Sequence, residues 1–304
     1  MTRSLKPSVR CIKPRSTVEN FVTPELRDRV LERLGLSAAP SLDPDGLGLV
    51  YEGWCRNIPF DNIRKWIAVS RGDTSALPGA SAQDFFEAWL KHGTGGTCWA
   101  GNGALCELLR ACGFDVARGV CTMLVAPNLP PNHGTVVAKF DGEEYLVDAS
   151  ILHLKPMRLN VHISVAYPYS IQLEFEKDQW QIHWRPANHP DGLTCRVDYY
   201  PTTDADFQQR HEFTRAWSPF NFSLAIRSVR GRCVVGAFGL EWYQMAANGK
   251  MERREVTRRE RGEMLVEQLG YSEEIVAQLP VDQPVPPPPG SRTAAANQQE
   301  ALPE

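Results

Sequence analysis

The 304-residue sequence holds no Cys-x-x-Cys, no His-x-x-x-His and no His-Glu-x-x-His. The gaps between its clustered cysteines, Cys98, Cys106, Cys112 and Cys121, match no zinc spacing, so no metal centre is expected. No run approaches the ~18 apolar residues of a membrane-spanning helix, and no membrane partner is expected. Positive charge is not in surplus: 33 Lys and Arg against 36 Asp and Glu leave a net charge of −3, which points away from nucleic acid. An apolar leader is missing, so the expectation is a cytoplasmic protein whose eight cysteines are reduced thiols rather than a disulfide framework. Acids are missing from residues 1–17, where Arg3, Lys6, Arg10, Lys13 and Arg15 stand. A transit peptide and a frayed basic tail both fit; the lack of an apolar face favours the tail, and 1–19 is read as flexible. What remains is ordinary for a soluble globular chain of two or three packed units, with 42 % hydrophobic and 23 % charged residues.

Helical signals come first. Thr23-Pro24-Glu25 reads as N-cap, N1 proline and early acid, with Leu26, Val30, Leu31 and Leu34 as a stripe and Gly35 as the stop. Further helices are expected over Leu47 to Arg56, over FFEAWLKHG behind Ser81, and from Cys98 to Arg110. After Gly113 the pattern turns to strands. TVVAKF-DG-EEYLVDA is the clearest hairpin, with Asp141-Gly142 at its turn. IQLEFEKD, WQIHWRP and TCRVDYY add short candidates, and FSLAIRSV and CVVGAFGLEWYQM make two more strands around Arg230-Gly231. Thr257-Arg-Arg-Glu260 is a capping box for a helix to Gln268, and SEEIVAQL is a last short helix. The Pro/Ala/Gln-rich residues 281–304 read as a disordered tail; its proline run also suits an aromatic groove.

Cys106, Leu109 and Cys112 share one helix face, which is core spacing. Cys98 differs, because Gly95-Gly96 hands over to a helix just there. A helix N-terminus favours thiolate over thiol, and glycines admit close backbone approach. A nucleophile and an inert thiol both remain open on this pattern alone. A nucleophilic thiol needs a histidine, and that histidine an acid. If Asp141-Gly142 is a two-residue turn, Phe140 pairs with Glu143, Asp148 faces Thr135, and His133 lies two residues further on the same face. His133 and Asp148 are then diagonal neighbours, about 7–8 Å apart at Cα. Taken singly, they read equally as a loop histidine and a strand-end cap.

GGTCWAGNGALCELLRACGFDV (95–116) resembles the arylamine N-acetyltransferase family, whose signature is Arg-Gly-Gly-x-Cys, an Asn four residues on, and a Gly-Phe-Asp/Glu-Val close. NIPFDNI (57–63) resembles its Ile-Pro-Phe-Glu-Asn segment. The His133 strand and LVDAS resemble its histidine and aspartate elements, and SPFNFSLAIRS, GRCVVGAFGLEW and REVT its C-terminal lid. The likeness covers roughly residues 20–280. It implies an α+β fold with a cysteine-protease-like Cys-His-Asp core: a helical bundle with the nucleophile over 20–115, a β-barrel with His and Asp over 116–220, and an α/β lid over 221–280. It implies that Cys98 is acylated, His133 is the base and Asp148 orients it. It implies acetyl-CoA as co-substrate with no bound cofactor, and an arylamine or hydrazine acceptor. Gly95, Gly96 and the backbone N–H of Cys98 or Trp99 are candidate oxyanion donors. Trp99, Phe60 and Phe220 are candidates for the acceptor pocket, or plain core.

The chain departs from this pattern. The family's Glu is Asp61 and its Arg is Thr94, a coupled loss of an ion pair beside the nucleophile, and an Asp61–Thr94 hydrogen bond is the expected replacement. After the aspartate the family runs Val-Gly-Phe-Gly against the donor; here Ala149-Ser150-Ile151 stands, with no glycine for close approach. Three functions are compatible with this: an arylamine N-acetyltransferase; a relative taking a longer acyl chain from a carrier protein or other thioester; or a non-catalytic homologue. Cysteine peptidases and transglutaminases share such a triad, but the lid-like third and NIPFDN favour the acetyltransferase relatives.

Overall fold

Side chains that close helix ends fix the first third of the chain. Thr23 accepts the Leu26 N–H at 3.2 Å and opens α1 (Pro24–Arg33). Asp43 accepts the Gly46 N–H at 2.8 Å and opens α2 (Pro44–Asn57), so this helix begins at its cap rather than at Leu47. After a two-residue strand, β1 (Phe60–Asp61), comes α3 (Ile63–Ser70), a helix the sequence pattern did not reveal. Its Asn62 cap makes no side-chain capping bond, so the usual start signal is missing. Ser81 caps α4 (Ala82–His92), which Gly93 ends at φ 73°. Then α5 (Cys98–Ala111) runs through the centre, and Leu31, Trp54, Phe85, Leu105 and Leu108 close one core around α1, α2, α4 and α5.

The structure is a computed structural model that describes residues 22–125, 129–166, 170–189 and 191–289. The basic stretch 1–19 and the tail from 290 onward lie outside the described residues. The middle of the chain forms β2 (Val116–Met123), β3 (His133–Phe140), β4 (Glu143–Val147), β5 (Met157–Arg158), β6 (Ile163–Val165), β7 (Ser170–Glu176), β8 (Gln179–Trp184) and β9 (Leu193–Tyr199). They make one antiparallel barrel-like sheet in the order β5-β4-β3-β2-β9-β8-β7-β6, around Val137, Leu146, Met157, Leu173, Ile182 and Cys195.

α6 (Asp204–Phe213) comes next, inside the stretch expected to be all strand. Only Phe207 and His211 of this helix are buried, too few to make an apolar period visible. A 3₁₀ turn (Pro219–Asn221) leads to β10 (Ala225–Arg230), β11 (Cys233–Phe238), β12 (Glu241–Ala246) and β13 (Met251–Glu255), then α7 (Arg258–Glu267) and α8 (Glu273–Val276). CVVGAFGLEWYQM is thus a hairpin, not one strand: Gly239 turns the chain at φ 55°. The second sheet runs β1-β10-β11-β12-β13. Ile63, Trp66 and Ile67 of α3 pack with Ile226, Trp242, Leu265 and Tyr271, so Phe60–Ser70 joins the C-terminal unit by packing. The start of the tail is also fastened there, unlike the disorder expected from 281. Asp282 pairs with the buried Arg261 at 2.7 Å and accepts from Ser223 at 2.7 Å and the Leu224 N–H at 3.0 Å.

Candidate active site

Cys98 is the first residue of α5 and 7 % exposed. Thr97 precedes it but makes no side-chain capping bond, and the N–H groups of Cys98, Trp99 and Ala100 meet no acceptor among the described residues. The thiol's contact is the Asn132 carbonyl at 3.9 Å, which brings Sγ to the foot of β3, where His133 begins the strand. The hairpin register is the one its turn dictates. Asp141 and Gly142 sit at φ 47° and 84°, and pairing runs from Phe140↔Glu143 to Val136↔Val147. Asp148 comes directly after, and its Oδ2 meets His133 Nε2 at 2.7 Å.

Asp148 is held on every side. Its Oδ1 accepts from the N–H groups of Ser150 at 2.8 Å and Ile151 at 3.2 Å, and from Asn102 Nδ2 at 3.3 Å. Tyr51 donates to its carbonyl at 2.8 Å. Asn102, one turn after Cys98 on α5, also donates to the Gly134 carbonyl at 2.6 Å and accepts the Ala149 N–H at 2.9 Å. It staples the helix to β3 and to the loop that carries the carboxylate. Burial opposes charge on both partners, yet each favours the other's ionised form. The His133 pKa therefore stands well above the usual histidine range, with Asp148 ahead of Cys195 and Cys98 in raising it. The Asp148 pKa stands below the usual carboxylate value despite burial, lowered by the charge and hydrogen bond of His133 and by the Ser150 N–H.

The Gly95 N–H has a different task from the one expected. The Gly95 N–H donates to Asp61 Oδ2 at 2.6 Å, so Gly95 is not a free oxyanion donor. A Cβ on Gly95 would stand 1.8 Å from the Pro59 carbonyl oxygen, and one on Gly96 2.9 Å from Ala100 Cβ and from Phe85 Cε2. The pair lets two backbones meet and seats the helix start on its core. The expected Asp61–Thr94 bond does not form: Thr94 Oγ1 is buried without a partner. Asp61 instead accepts the Tyr271 hydroxyl at 3.1 Å and the Ile63 N–H at 3.1 Å. Burial pushes its pKa up to about 6, against the lowering effect of the Gly95, Ile63 and Tyr271 bonds. Tyr271 thus serves the carboxylate for which the resemblance had implied an arginine partner, a role that nothing around GYSEE signals.

The three aromatic candidates divide. Trp99 is buried edge-on to Phe207 at 4.9 Å, with Nε1 unpartnered. Phe60 is buried and meets the half-buried Phe220 at 5.3 Å. Asn62 holds Phe220 in place, donating to its carbonyl at 2.9 Å and to that of Ser223 at 2.7 Å. Ala149, Ser150 and Ile151 are buried, and the N–H of each is engaged inside the protein. The sequence reading missed two cations here. Arg227 lies 4.3 Å over the Phe60 ring, and Lys65 is buried on α3. Nothing in the sequence marked Lys65, because its helix was not foreseen. Among the described residues no group of His, Cys, Asp or Glu is placed to hold a metal, every cysteine is a free thiol, and no helix is long and apolar enough to cross a membrane.

A family model described as N-acetyltransferase matches residues 46–274. No curated protein sequence matches the chain. Among solved structures, the arylamine N-acetyltransferase from Salmonella typhimurium is similar at a TM-score of 0.72 and 17 % identity, over 84 % of this chain and 98 % of that one. The enzyme of that name from Mycobacterium abscessus gives 0.70 at 18 %, over 83 % and 92 %. The Mycobacterium marinum enzyme in complex with CoA gives 0.69 at 17 %, over 82 % and 96 %.

Proposed function

The chain belongs to the arylamine N-acetyltransferase family, and from that membership we propose that it moves an acetyl group from acetyl-CoA, through a thioester on Cys98, to an arylamine or hydrazine nitrogen. One observation carries the reading: His133 gives Nε2 to Asp148 at 2.7 Å, which leaves Nδ1 for the thiol at the start of α5. His133 takes the thiol proton, and the Cys98 sulfur attacks the thioester carbonyl. Free N–H groups at the α5 N-terminus, those of Cys98, Trp99 and Ala100, receive the developing oxyanion. The C–S bond to coenzyme A breaks, and its sulfur leaves with the proton that His133 returns. The amine then attacks the Cys98 thioester and gives its proton to His133. The amide departs and the thiol is restored. Phe60 and Phe220 are the aromatic walls offered to the acceptor.

A second reading has its own support. The Ala149–Ile151 loop spends its N–H groups on Asn102 and Asp148 and has none to offer a donor. That favours an acyl thioester held elsewhere, such as a longer chain on a carrier protein. Intact mass after incubation with acetyl-CoA, with Cys98→Ala as control, separates the two. An acetyl adduct on wild type alone, discharged by an aromatic amine, is the expected result. No adduct on a Cys98 that iodoacetamide labels rapidly refutes acetyl-CoA as donor.

A further inference from the structure

Tyr51 lies on α2, buried, on the far side of the acid from His133's partner bond. Three bonds converge on its one hydroxyl. The O–H donates to the Asp148 carbonyl at 2.8 Å, and the oxygen accepts the Asp148 N–H at 3.1 Å and the His153 N–H at 3.4 Å. Burial first, then the charges of Cys55 and Asp148, hold the Tyr51 pKa well above the usual tyrosine value, so the donor proton stays in place. Between those two ends the chain closes on itself. The Leu152 N–H donates to the Asp148 carbonyl at 3.3 Å, those of Ser150 and Ile151 to Asp148 Oδ1, and that of Ala149 to Asn102. Every N–H from Asp148 to His153 is thus engaged. The closure puts two buried leucines in the left-handed region, Leu152 at φ 57° and Leu154 at φ 69°, on either side of His153. An L-residue is disfavoured there, because its Cβ crowds the following carbonyl. In the family's Val-Gly-Phe-Gly pattern a glycine, free of that cost, falls on the position of Leu152. Such a conformation persists only where its surroundings hold it, and the Tyr51 hydroxyl grips both ends of the turn.

We propose that Tyr51 is a positioning residue for the acid of the triad: its hydroxyl pins Leu152 in the left-handed turn, and the turn fixes the Asp148 carboxylate on His133. The inference rests on Cys98, His133 and Asp148 as the catalytic groups. Oδ1 is held by N–H groups of the turn itself, Ser150 at 2.8 Å and Ile151 at 3.2 Å, so the direction of Oδ2, 2.7 Å from His133 Nε2, follows the shape of the turn. With the hydroxyl removed, the buried N–H groups of Asp148 and His153 lose their acceptor. Leu152 then gains by leaving the left-handed region, and the Ser150 and Ile151 N–H groups move off Oδ1 with it. All three hydroxyl bonds go to backbone, so Tyr51 acts on the rate through the placing of Asp148.

Tyr51→Phe deletes the hydroxyl and keeps the ring. It is expected to fold and to slow single-turnover acylation of Cys98 by acetyl-CoA about tenfold to a hundredfold, the cost of a reacting group displaced by about 1 Å. It is also expected to move the pH profile of Cys98 alkylation by iodoacetamide in the direction that Asp148→Asn moves it. Leu152→Gly removes the cost of the left-handed turn. Added to Tyr51→Phe, it is expected to restore about fivefold of the acylation rate, the population factor of one left-handed L-residue. The same change empties a buried leucine site and lowers the melting temperature. Leu152→Gly alone is expected to melt lower with little change in rate, since the hydroxyl still holds the turn. A gain in rate against a loss in stability is a pattern that a merely structural tyrosine does not give. An unchanged rate and profile in Tyr51→Phe overturns the proposal, and so does its failure to fold, which would make the hydroxyl a determinant of the fold alone. A double variant no faster than Tyr51→Phe, or a Leu152→Gly protein as slow as Tyr51→Phe, overturns it too. An alkylation profile that Asp148→Asn leaves unmoved removes the triad, and the proposal with it. Alkylation needs no acyl donor. If no thioester acylates wild-type Cys98, the acyl-transfer reading fails, while the alkylation profiles of the three variants still decide the role of Tyr51.

Discussion

Asp148→Asn changes one atom of the candidate triad, and the surrounding hydrogen bonds decide which way the new amide turns. Oδ1 accepts three donors, from Ser150, Ile151 and Asn102, while Oδ2 meets His133 Nε2. An amide has one oxygen. Its NH₂ would face three donors at the first position and one ring nitrogen at the second, so the oxygen takes the first. His133 Nε2 must then accept, and the ring proton moves to Nδ1, the nitrogen needed as base. The charge that overrides burial at His133 is also gone, so its pKa falls instead of rising. An Asp-to-Asn exchange in serine triads costs about 10⁴ in turnover. We expect single-turnover acylation of Cys98 by acetyl-CoA to slow by about 10³–10⁴, about 4–5 kcal/mol of barrier. Folding stability should fall by only about 1–3 kcal/mol, since three of the four hydrogen bonds survive. The assay is quenched-flow acylation with intact-mass detection, beside the pH profile of Cys98 alkylation by iodoacetamide. Acylation within tenfold of wild type, or an unmoved profile, would refute the assigned geometry.

The Asp61 corner and the glycines respond in their own ways. Because the Asp61 pKa is raised to about 6, above the unfolded value of about 3.9, its ionisation costs stability progressively between about pH 4 and 6 and uniformly above. Tyr271→Phe removes a bond that lowers this pKa, so urea unfolding should show a loss of about 1–3 kcal/mol at pH 8 and less at pH 5; equal losses would contradict it. Thr94→Arg restores the family's residue where Tyr271 already serves Asp61, and in a fully buried position it should lower the melting temperature sharply, with partial recovery in the double variant with Tyr271→Phe. Gly95→Ala drives a methyl into the Pro59 carbonyl and should yield little folded protein. Gly48→Ala, on α2 with nothing within 4 Å of the added Cβ, should stabilise by about 0.5–1 kcal/mol in the same melts.

The legible parts share one property: their signals are local. The caps at Thr23 and Ser81 and the Thr257 capping box act within three residues of chain. The Asp141-Gly142 turn needs two positive-φ residues, and once they are present the two-residue period puts His133 and Asp148 on one face. That is why a candidate pair separated by 15 positions is readable from the chain alone. α3 and α6 are not readable, since one lacks a capping side chain and the other buries only Phe207 and His211.

By itself, the sequence determined the starts of α1, α4, α5 and α7, the hairpin register and the position of Cys98 at a helix N-terminus, because each depends on dihedral preference and hydrogen bonds within a few residues. Tertiary structure alone decided who meets Asp61, what the Gly95 N–H does and where Lys65 ends up. Asp61 and Tyr271 are separated by 210 positions, and Gly95 reaches Asp61 across 34. Whether a carboxylate finds a hydroxyl, or a lysine is left in the interior without a counter-charge, is set by which distant segments the packed core brings together, and no local pattern carries that information.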